Sequence, residues 1–149
     1  MKKETKKQLL IGAALVLELL LLLLYLNGRI NKLLDSDMSS EMILGQLLAR
    51  NNGILSDQWY YSTELRVLNT QLIYALFFRL SSNWHFVRMA STLVLWCVLI
   101  ASYGVLCRVM GCKKSFGVTA LLLAAPVSES YFRFVLAGVY YVPHLAIAF

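Results

Sequence analysis

An apolar run near the N-terminus constrains this chain more than any other feature of its sequence. The run extends from Leu9 to Leu26, 18 residues interrupted only by Gly12 and Glu18, and it follows a basic leader. At about 1.5 Å per residue, a helix of this length approaches the roughly 30 Å hydrocarbon thickness of a bilayer. No small-x-small cleavage site follows the run, so we favour an uncleaved span over residues 8–28; a signal peptide is the alternative.

The composition agrees with a protein embedded in a membrane. Hydrophobic residues make up 59% of the chain and charged residues 15%, whereas charged residues reach roughly 25% in soluble domains. The net charge is +6, but the basic residues lie mainly at the ends of apolar runs, where they act as topology signals. We therefore predict an all-α, polytopic protein of the cell membrane, with the lipid bilayer as a partner and no nucleic acid.

Further apolar regions predict the remaining spans. Residues 89–110 contain the clearest one, because the 19 residues from Met89 to Cys107 carry no charge. Residues 115–128 and 131–149 predict two short spans joined by a turn. A single broken or re-entrant segment, covered by other protein, is the alternative for this region. The expected number of spans is therefore three to four, in a single membrane-embedded region that we expect to be the first part of a longer protein.

Residues 29–88, between the first two spans, predict a large loop with short helices at the membrane surface. One helix is expected over residues 37–50, before the stop signal Asn51-Asn52-Gly53, and a second over residues 69–80. Lysine and arginine are more frequent at the N-terminus and in residues 108–114 than at the opposite ends of the spans. This bias predicts a cytoplasmic N-terminus and a loop at the outer face.

The loop begins with the densest acidic cluster in the chain: Asp35, Asp37 and Glu41 lie within seven residues. Asp37 is predicted to cap the following helix and Glu41 to interact with the helix dipole, whereas Asp35 has no structural role in this interpretation. In an extended or turn conformation, two carboxylates at this spacing can hold a divalent cation or accept a proton from an attacking hydroxyl. Asp35 and Asp37 are therefore the candidate catalytic residues and candidate ligands of Mg²⁺ or Mn²⁺. A helix cap flanked by solvated acids is the alternative.

Two arginines of the loop are candidates for binding phosphate. Arg66 and Arg88 can each bind a phosphate or pyrophosphate at the headgroup level through the guanidinium fork. Attraction to anionic lipid headgroups is the alternative for each. His85 is predicted to be an interfacial side chain and His144 a helix-to-helix hydrogen bonder, and no Cys or His set has the spacing of a zinc site.

The order of these features resembles the N-terminal part of the GT-C-type glycosyltransferases. The shared features are a basic cytoplasmic start, one span, an Asp-x-Asp motif at the outer face, an external loop with surface helices, and a second span. The segment from Trp59 to Leu72 also looks like a segment of uncharacterised Gram-positive bacterial membrane proteins assigned to that superfamily. The resemblance covers most of the 149 residues.

This resemblance implies a function and a set of site residues. GT-C enzymes use polyprenyl-phosphate-linked sugars, and the acidic motif of their first external loop serves as catalytic base or metal ligand, which corresponds here to Asp35 and Asp37. The donor phosphate is then expected near Arg66 or Arg88 at the outer leaflet. Because the family fold needs further helices, we expect them from a longer chain or from a partner membrane protein.

Two other classes of function stay open at this point. The first is a small non-catalytic membrane protein, either a scaffold or an inactive remnant. The second is a transporter fragment, in which intramembrane polar residues carry the function. The residues to consider for a transporter are Glu18, Glu129, Arg133 and His144.

Overall fold

The regular elements of the described chain are all helical. The computed structural model describes residues 2–61, 70–112 and 114–149, with side chains from residue 5 onward. The elements are α1 (Lys2–Asn27), α2 (Ser36–Asn51), α3 (Thr70–Phe78), α4 (Trp84–Val109), α5 (Phe116–Ala124), α6 (Glu129–Tyr131), the π-helical turn π1 (Phe132–Ala137) and α7 (Val142–Ala148). No β-strand occurs in these ranges, so the predicted all-α class is confirmed.

Two helices of the described chain are long and apolar enough to cross a membrane. They cover Thr5–Asn27, with a mean hydropathy of 2.7, and Trp84–Val109, with a mean hydropathy of 2.0. A bent pair, Phe116–Ala124 with Glu129–Ala137, also passes this test, which allows up to three spans. These lengths and compositions are those of a membrane protein.

The second long helix begins earlier than the sequence predicted, at Trp84 rather than at residue 89. Asn83 explains this start, because its side-chain oxygen accepts a hydrogen bond from the N–H of Phe86 and so caps the helix. Arg88 therefore lies in the first turns of α4 and not in a loop.

The C-terminal region differs from the two spans predicted over residues 115–128 and 131–149. α5 has only nine residues, which reach less than half of the hydrocarbon thickness. It ends because Pro126 disfavours the helical conformation of Ala125, which is extended at ψ 138°. The chain then bends by 85° into α6 and π1, and a second break separates π1 from α7. This geometry fits the alternative of a broken or re-entrant segment.

The helices α2 and α3 pack closely against each other. Gly45 permits the approach, because a Cβ added to it would lie 2.7 Å from the Cβ of Tyr74. Leu44, Leu48 and Ala75 form a small apolar cluster between the two helices. Helices are thus present where the sequence predicted them over residues 37–50 and 69–80, and the two form a packed pair.

The main apolar core joins the end of α1 to α4 and to the chain around π1. Its buried members are Leu22, Leu26, Ile30, Leu95, Trp96, Leu99, Val135, Leu136, Ala137, Val139 and Val142. The Trp96 indole donates a hydrogen bond of 2.9 Å to the carbonyl of Leu136. At the edge of this core, His85 Nε2 lies 2.9 Å from the Asn27 side-chain oxygen, so the first turn of α4 lies beside the end of α1.

Candidate functional site

The structural roles in the acidic cluster are the reverse of those predicted. Asp35 is the N-cap of α2: its backbone is extended, and its Oδ1 accepts a hydrogen bond of 2.9 Å from the N–H of Met38. Asp37 is exposed in the first helical turn, where a carboxylate interacts favourably with the helix dipole. The prediction that Asp37 is the cap and that Asp35 has no structural role is therefore wrong.

The two aspartates alone form an incomplete site for a metal ion. Within the described ranges, no group of three or more His, Cys, Asp or Glu side chains could hold a metal ion. Mg²⁺, however, is commonly bound by one or two carboxylates together with water and substrate phosphate. Asp35 keeps Oδ2 for such a role while Oδ1 caps the helix, so the donors fit Mg²⁺ or Mn²⁺ only if a ligand supplies further oxygens.

Arg88 has the most unusual environment of the predicted site residues. Its side chain is only 1% exposed. Nη2 lies 2.8 Å from the sulfur of Met38 and 3.5 Å from the carbonyl oxygen of Ala137; the first is a weak acceptor and the second contact is long. Nε and Nη1 have no hydrogen-bond partner among the described residues. A buried cation without hydrogen-bond acceptors destabilises a protein by roughly several kcal/mol, unless a ligand or water supplies the acceptors.

Further polar groups without partners lie near the start of α4. Ser91 and Thr92 follow Arg88 by three and four residues, so they share its face of the helix. Both are fully buried, and neither hydroxyl has a partner in the described part of the chain. The side-chain oxygen of Gln71 on α3 is in the same condition. Since buried polar groups are normally paired, this region has more hydrogen-bonding capacity than the described residues use.

Tyr74 connects the acidic cluster to Arg88. Burial raises the pKa of its phenol well above the ordinary value; Arg88 acts in the opposite direction, and Glu41 and Asp35 add to the rise. The three charged groups therefore all lie within electrostatic reach of one buried phenol. The fold thus brings Asp35 and Arg88 into one region, as a shared site requires.

The backbone beside Arg88 is strained. Val139 has a φ of 51°, a left-handed conformation that β-branched residues rarely adopt. Directly before it, the N–H of Gly138 donates to the carbonyl of Arg133 at 2.9 Å, which is the spacing of a π-helix. Arg88 approaches the last carbonyl of this turn, that of Ala137. π-helical turns and strained residues occur frequently at functional sites.

Arg66 and His85 are the two remaining predicted residues of the loop. Arg66 falls outside the described residues, so its phosphate-binding role stays a prediction. His85 contacts Asn27, which agrees with an interfacial structural side chain.

The polar residues considered for a transporter do not meet in one place. Glu18 lines a groove beside α1, whereas His144 lines a separate apolar groove at α7. Glu129 and Arg133 form an exposed i, i+4 ion pair of 3.8 Å, which is the ordinary helix pair expected from their spacing.

Sequence reasoning missed Tyr74, Ser91 and Thr92 as members of the site. The signal for the last two was present, since a Ser-Thr pair lies one turn after Arg88 in a run without charges. This signal is recognised only when the helix is taken to begin at Trp84, because Arg88, Ser91 and Thr92 then lie on one face of the same helix. Tyr74 has no comparable signal, because its neighbours come from distant parts of the chain.

Comparison with protein-family models, with curated proteins and with solved structures finds no match to this chain.

Proposed function

We propose that this chain is the N-terminal part of a membrane glycosyltransferase that takes a sugar from a polyprenyl-phosphate donor, with Arg88 as its phosphate-binding residue. The observation that carries the proposal is the buried guanidinium of Arg88, in which two donor nitrogens have no partner among the described residues and which has Asp35 within electrostatic reach. Phosphate oxygens accept charge-assisted hydrogen bonds from guanidinium N–H groups of this kind. The resemblance to GT-C enzymes supplies the reaction class.

The position of Arg88 along the membrane normal supports a lipid-linked phosphate. Arg88 lies in the first turns of α4, and His85 in the same turns contacts Asn27 at the end of α1. The ends of two candidate spans therefore meet at His85, about one turn before Arg88. A polyprenyl phosphate holds its phosphate at this level and its chain in the hydrocarbon, so Arg88 is at a suitable depth for its headgroup.

In the proposed reaction, Asp35 or Asp37 accepts the proton of an acceptor hydroxyl while the hydroxyl oxygen attacks the anomeric carbon of the sugar. The bond from this carbon to the phosphate oxygen breaks, polyprenyl phosphate leaves, and the anomeric configuration inverts. Arg88 stabilises the negative charge on the leaving phosphate. A divalent cation between the aspartates and the phosphate would add charge stabilisation.

The proposal includes an orientation and partners. The N-terminus is cytoplasmic, and the Asp35 region lies at the outer face, where an envelope acceptor is available. The bilayer, the polyprenyl-phosphate sugar and further transmembrane helices are the expected partners.

Sugar transfer in membrane vesicles tests the proposal. Vesicles that contain the full chain would be incubated with radiolabelled polyprenyl-phosphate hexoses and an envelope-glycan acceptor. Asp35→Asn is an informative variant, because asparagine caps a helix as well as aspartate does while the carboxylate is lost. Loss of a general base lowers the rate by about 10²- to 10⁴-fold, so Asp35→Asn or Asp37→Asn should abolish measurable transfer.

Glu129→Gln is the matched control. It removes an exposed carboxylate that forms an ion pair with Arg133 and is distant in sequence from Asp35 and Asp37. It should transfer sugar at the wild-type rate. Normal transfer by both aspartate variants would exclude the catalytic role of the Asp-x-Asp motif.

A non-catalytic interaction subunit is the second candidate. It is favoured by the exposure of α1, of whose most apolar window only 11% is buried. Absence of transfer from every donor in the wild-type vesicles would favour this function.

A further inference from the structure

An open groove runs between α1 and the bent segment formed by α5, α6 and π1. It has a volume of about 700 Å³, and its walls include Leu17, Leu21, Leu121, Pro126 and Phe132. We refer to it as the α1 groove. Among the described residues that line it, Glu18 is the single charged one.

Glu18 occupies the middle of the apolar run of α1, which makes it the most deeply placed carboxylate of this candidate span. It has no hydrogen-bond or ion-pair partner among the described residues. A carboxylate at this depth is unfavourable against lipid, and such residues almost always face other protein and pair with a polar group. Glu18 therefore needs a donor that the described part of the chain does not provide.

The opposite wall of the α1 groove is a break in the helical chain. The chain is interrupted between Ala124 and Glu129, and Pro126 in this interruption lines the groove. The Leu123 carbonyl at this break accepts a hydrogen bond from the Tyr131 hydroxyl. Irregular backbone at membrane depth is tolerated only where protein or a water-filled cavity covers it. A lipid chain would provide no partner for Glu18 and no such cover.

We infer that the α1 groove is the docking site of a further transmembrane helix, which carries a lysine or arginine at the depth of Glu18. The cation of that helix pairs with the Glu18 carboxylate, and its apolar side chains fill the space between Leu17 and Phe132. A positive charge is the specific requirement, because the groove offers one carboxylate among apolar walls.

The two long candidate spans of this chain carry no cation at the depth of Glu18: Lys6 and Lys7 lie at the start of α1, Arg88 in the first turns of α4, and Arg108 in its last turn. The bent pair, the third candidate span, carries Arg133, which is already paired with Glu129 at 3.8 Å. A copy of α1 or α4 therefore does not supply the cation, and this inference does not depend on the glycosyltransferase proposal.

Photo-crosslinking with designed peptides tests the inference. The full chain, reconstituted in phosphatidylcholine vesicles, would carry benzoylphenylalanine either at Leu17 in the groove or at Val16 outside it, two positions that are both 58% exposed. The probes are two 24-residue polyleucine transmembrane peptides that differ only in the central residue, lysine or leucine. Both peptides carry the same charged ends.

We expect the lysine peptide to label position 17 about tenfold more strongly than position 16, and more strongly than the leucine peptide labels either. Glu18→Gln should reduce this labelling to the level of the leucine peptide. The variant keeps the size of the side chain in an open groove, so the fold is preserved; circular dichroism verifies this.

Three results would overturn the inference. They are equal labelling at positions 16 and 17, equal labelling by both peptides, and labelling by the lysine peptide that Glu18→Gln does not change. Competition by a photoactivatable phospholipid that labels position 17 in place of the lysine peptide would likewise identify the α1 groove as a lipid site.

Discussion

Replacement of Arg88 by methionine should stabilise the protein. In the described structure the guanidinium gains one long contact, 3.5 Å to the Ala137 carbonyl, and one contact to the weak acceptor sulfur of Met38. Two donors stay unpaired at 1% exposure. Replacing buried charged groups by apolar residues of similar volume is often neutral or stabilising by about 1–4 kcal/mol. After subtraction of the lost contact to Ala137, which is worth about 1 kcal/mol, we expect a net gain of about 0–3 kcal/mol.

Thermal unfolding in detergent, followed by far-ultraviolet circular dichroism, measures this effect. For a chain of this size, each kcal/mol changes Tm by about 2–4 °C, so Arg88→Met should raise Tm by up to about 12 °C. Trp96→Phe is a control on the same face of α4, because it removes a hydrogen bond of 2.9 Å to the Leu136 carbonyl. It should lower the free energy of unfolding by about 1–3 kcal/mol.

The opposite result would refute the reasoning about Arg88. Removal of one partner from a well-formed buried ion pair destabilises a protein by about 3–5 kcal/mol. A decrease of this size for Arg88→Met would mean that the guanidinium is paired within the protein and serves the fold. A gain in stability together with loss of phosphate binding is what a functional residue predicts, since such sites are commonly maintained at the expense of stability.

Three further substitutions have expected effects on the free energy of unfolding, measured in the same detergent. Val139→Gly should lower it by about 1–3 kcal/mol, because the loss of a fully buried core side chain outweighs the relief of strain at a φ of 51°; an increase would mean that the strain is the larger effect. Gly45→Ala should lower the free energy of unfolding by about 1–3 kcal/mol, since the new methyl group would lie 2.7 Å from the Tyr74 Cβ. An unchanged Tm would contradict the close packing of α2 on α3. Asp35→Ala should lower the free energy of unfolding by about 1 kcal/mol, because the hydrogen bond from the Met38 N–H is lost, whereas Asp35→Asn should leave this free energy unchanged. Equal stability of the two variants would disprove the cap.

The sequence predicted those elements that local signals determine. The apolar run identified α1, and the Asn51-Asn52-Gly53 signal identified the end of α2, where Asn52 adopts a left-handed φ of 49°. The second surface helix, expected over residues 69–80, is α3. In each case the decisive residues lie within one or two turns of the feature, so the neighbouring sequence is sufficient.

The helix starts were harder to predict, because several residues in a row are suitable caps. Asp35, Ser36 and Asp37 can all serve as N-caps, and the choice depends on how the preceding turn leads into α2. At α4, the charge of Arg88 indicated a loop, although the Asn83 cap places it inside the helix. The sequence shows which residues carry a carboxylate or a guanidinium. The structural role of each group depends on the backbone conformation around it.

The candidate site could be predicted only in part, because it is assembled by contacts between distant segments. Asp35 and Arg88 were identified from their chemistry. Their common neighbour Tyr74 follows only from the packing of α3 between α2 and α4. The strained turn at Val139, which lies next to Arg88, has no sequence signal at all, since a valine there predicts a regular helix or strand.

The most direct test of the account is the binding of polyprenyl phosphate to the chain in nanodiscs, measured by the quenching of a fluorescent polyprenyl phosphate. The account predicts binding that polyprenol without phosphate does not compete for, and a decrease in affinity of at least about tenfold for Arg88→Met, as expected for the loss of a charge-assisted contact. Arg133→Gln, which changes an exposed arginine, should bind as the wild type does. Equal affinity of the wild type and Arg88→Met, or equal competition by polyprenol, would contradict the assignment of Arg88 as the phosphate-binding residue.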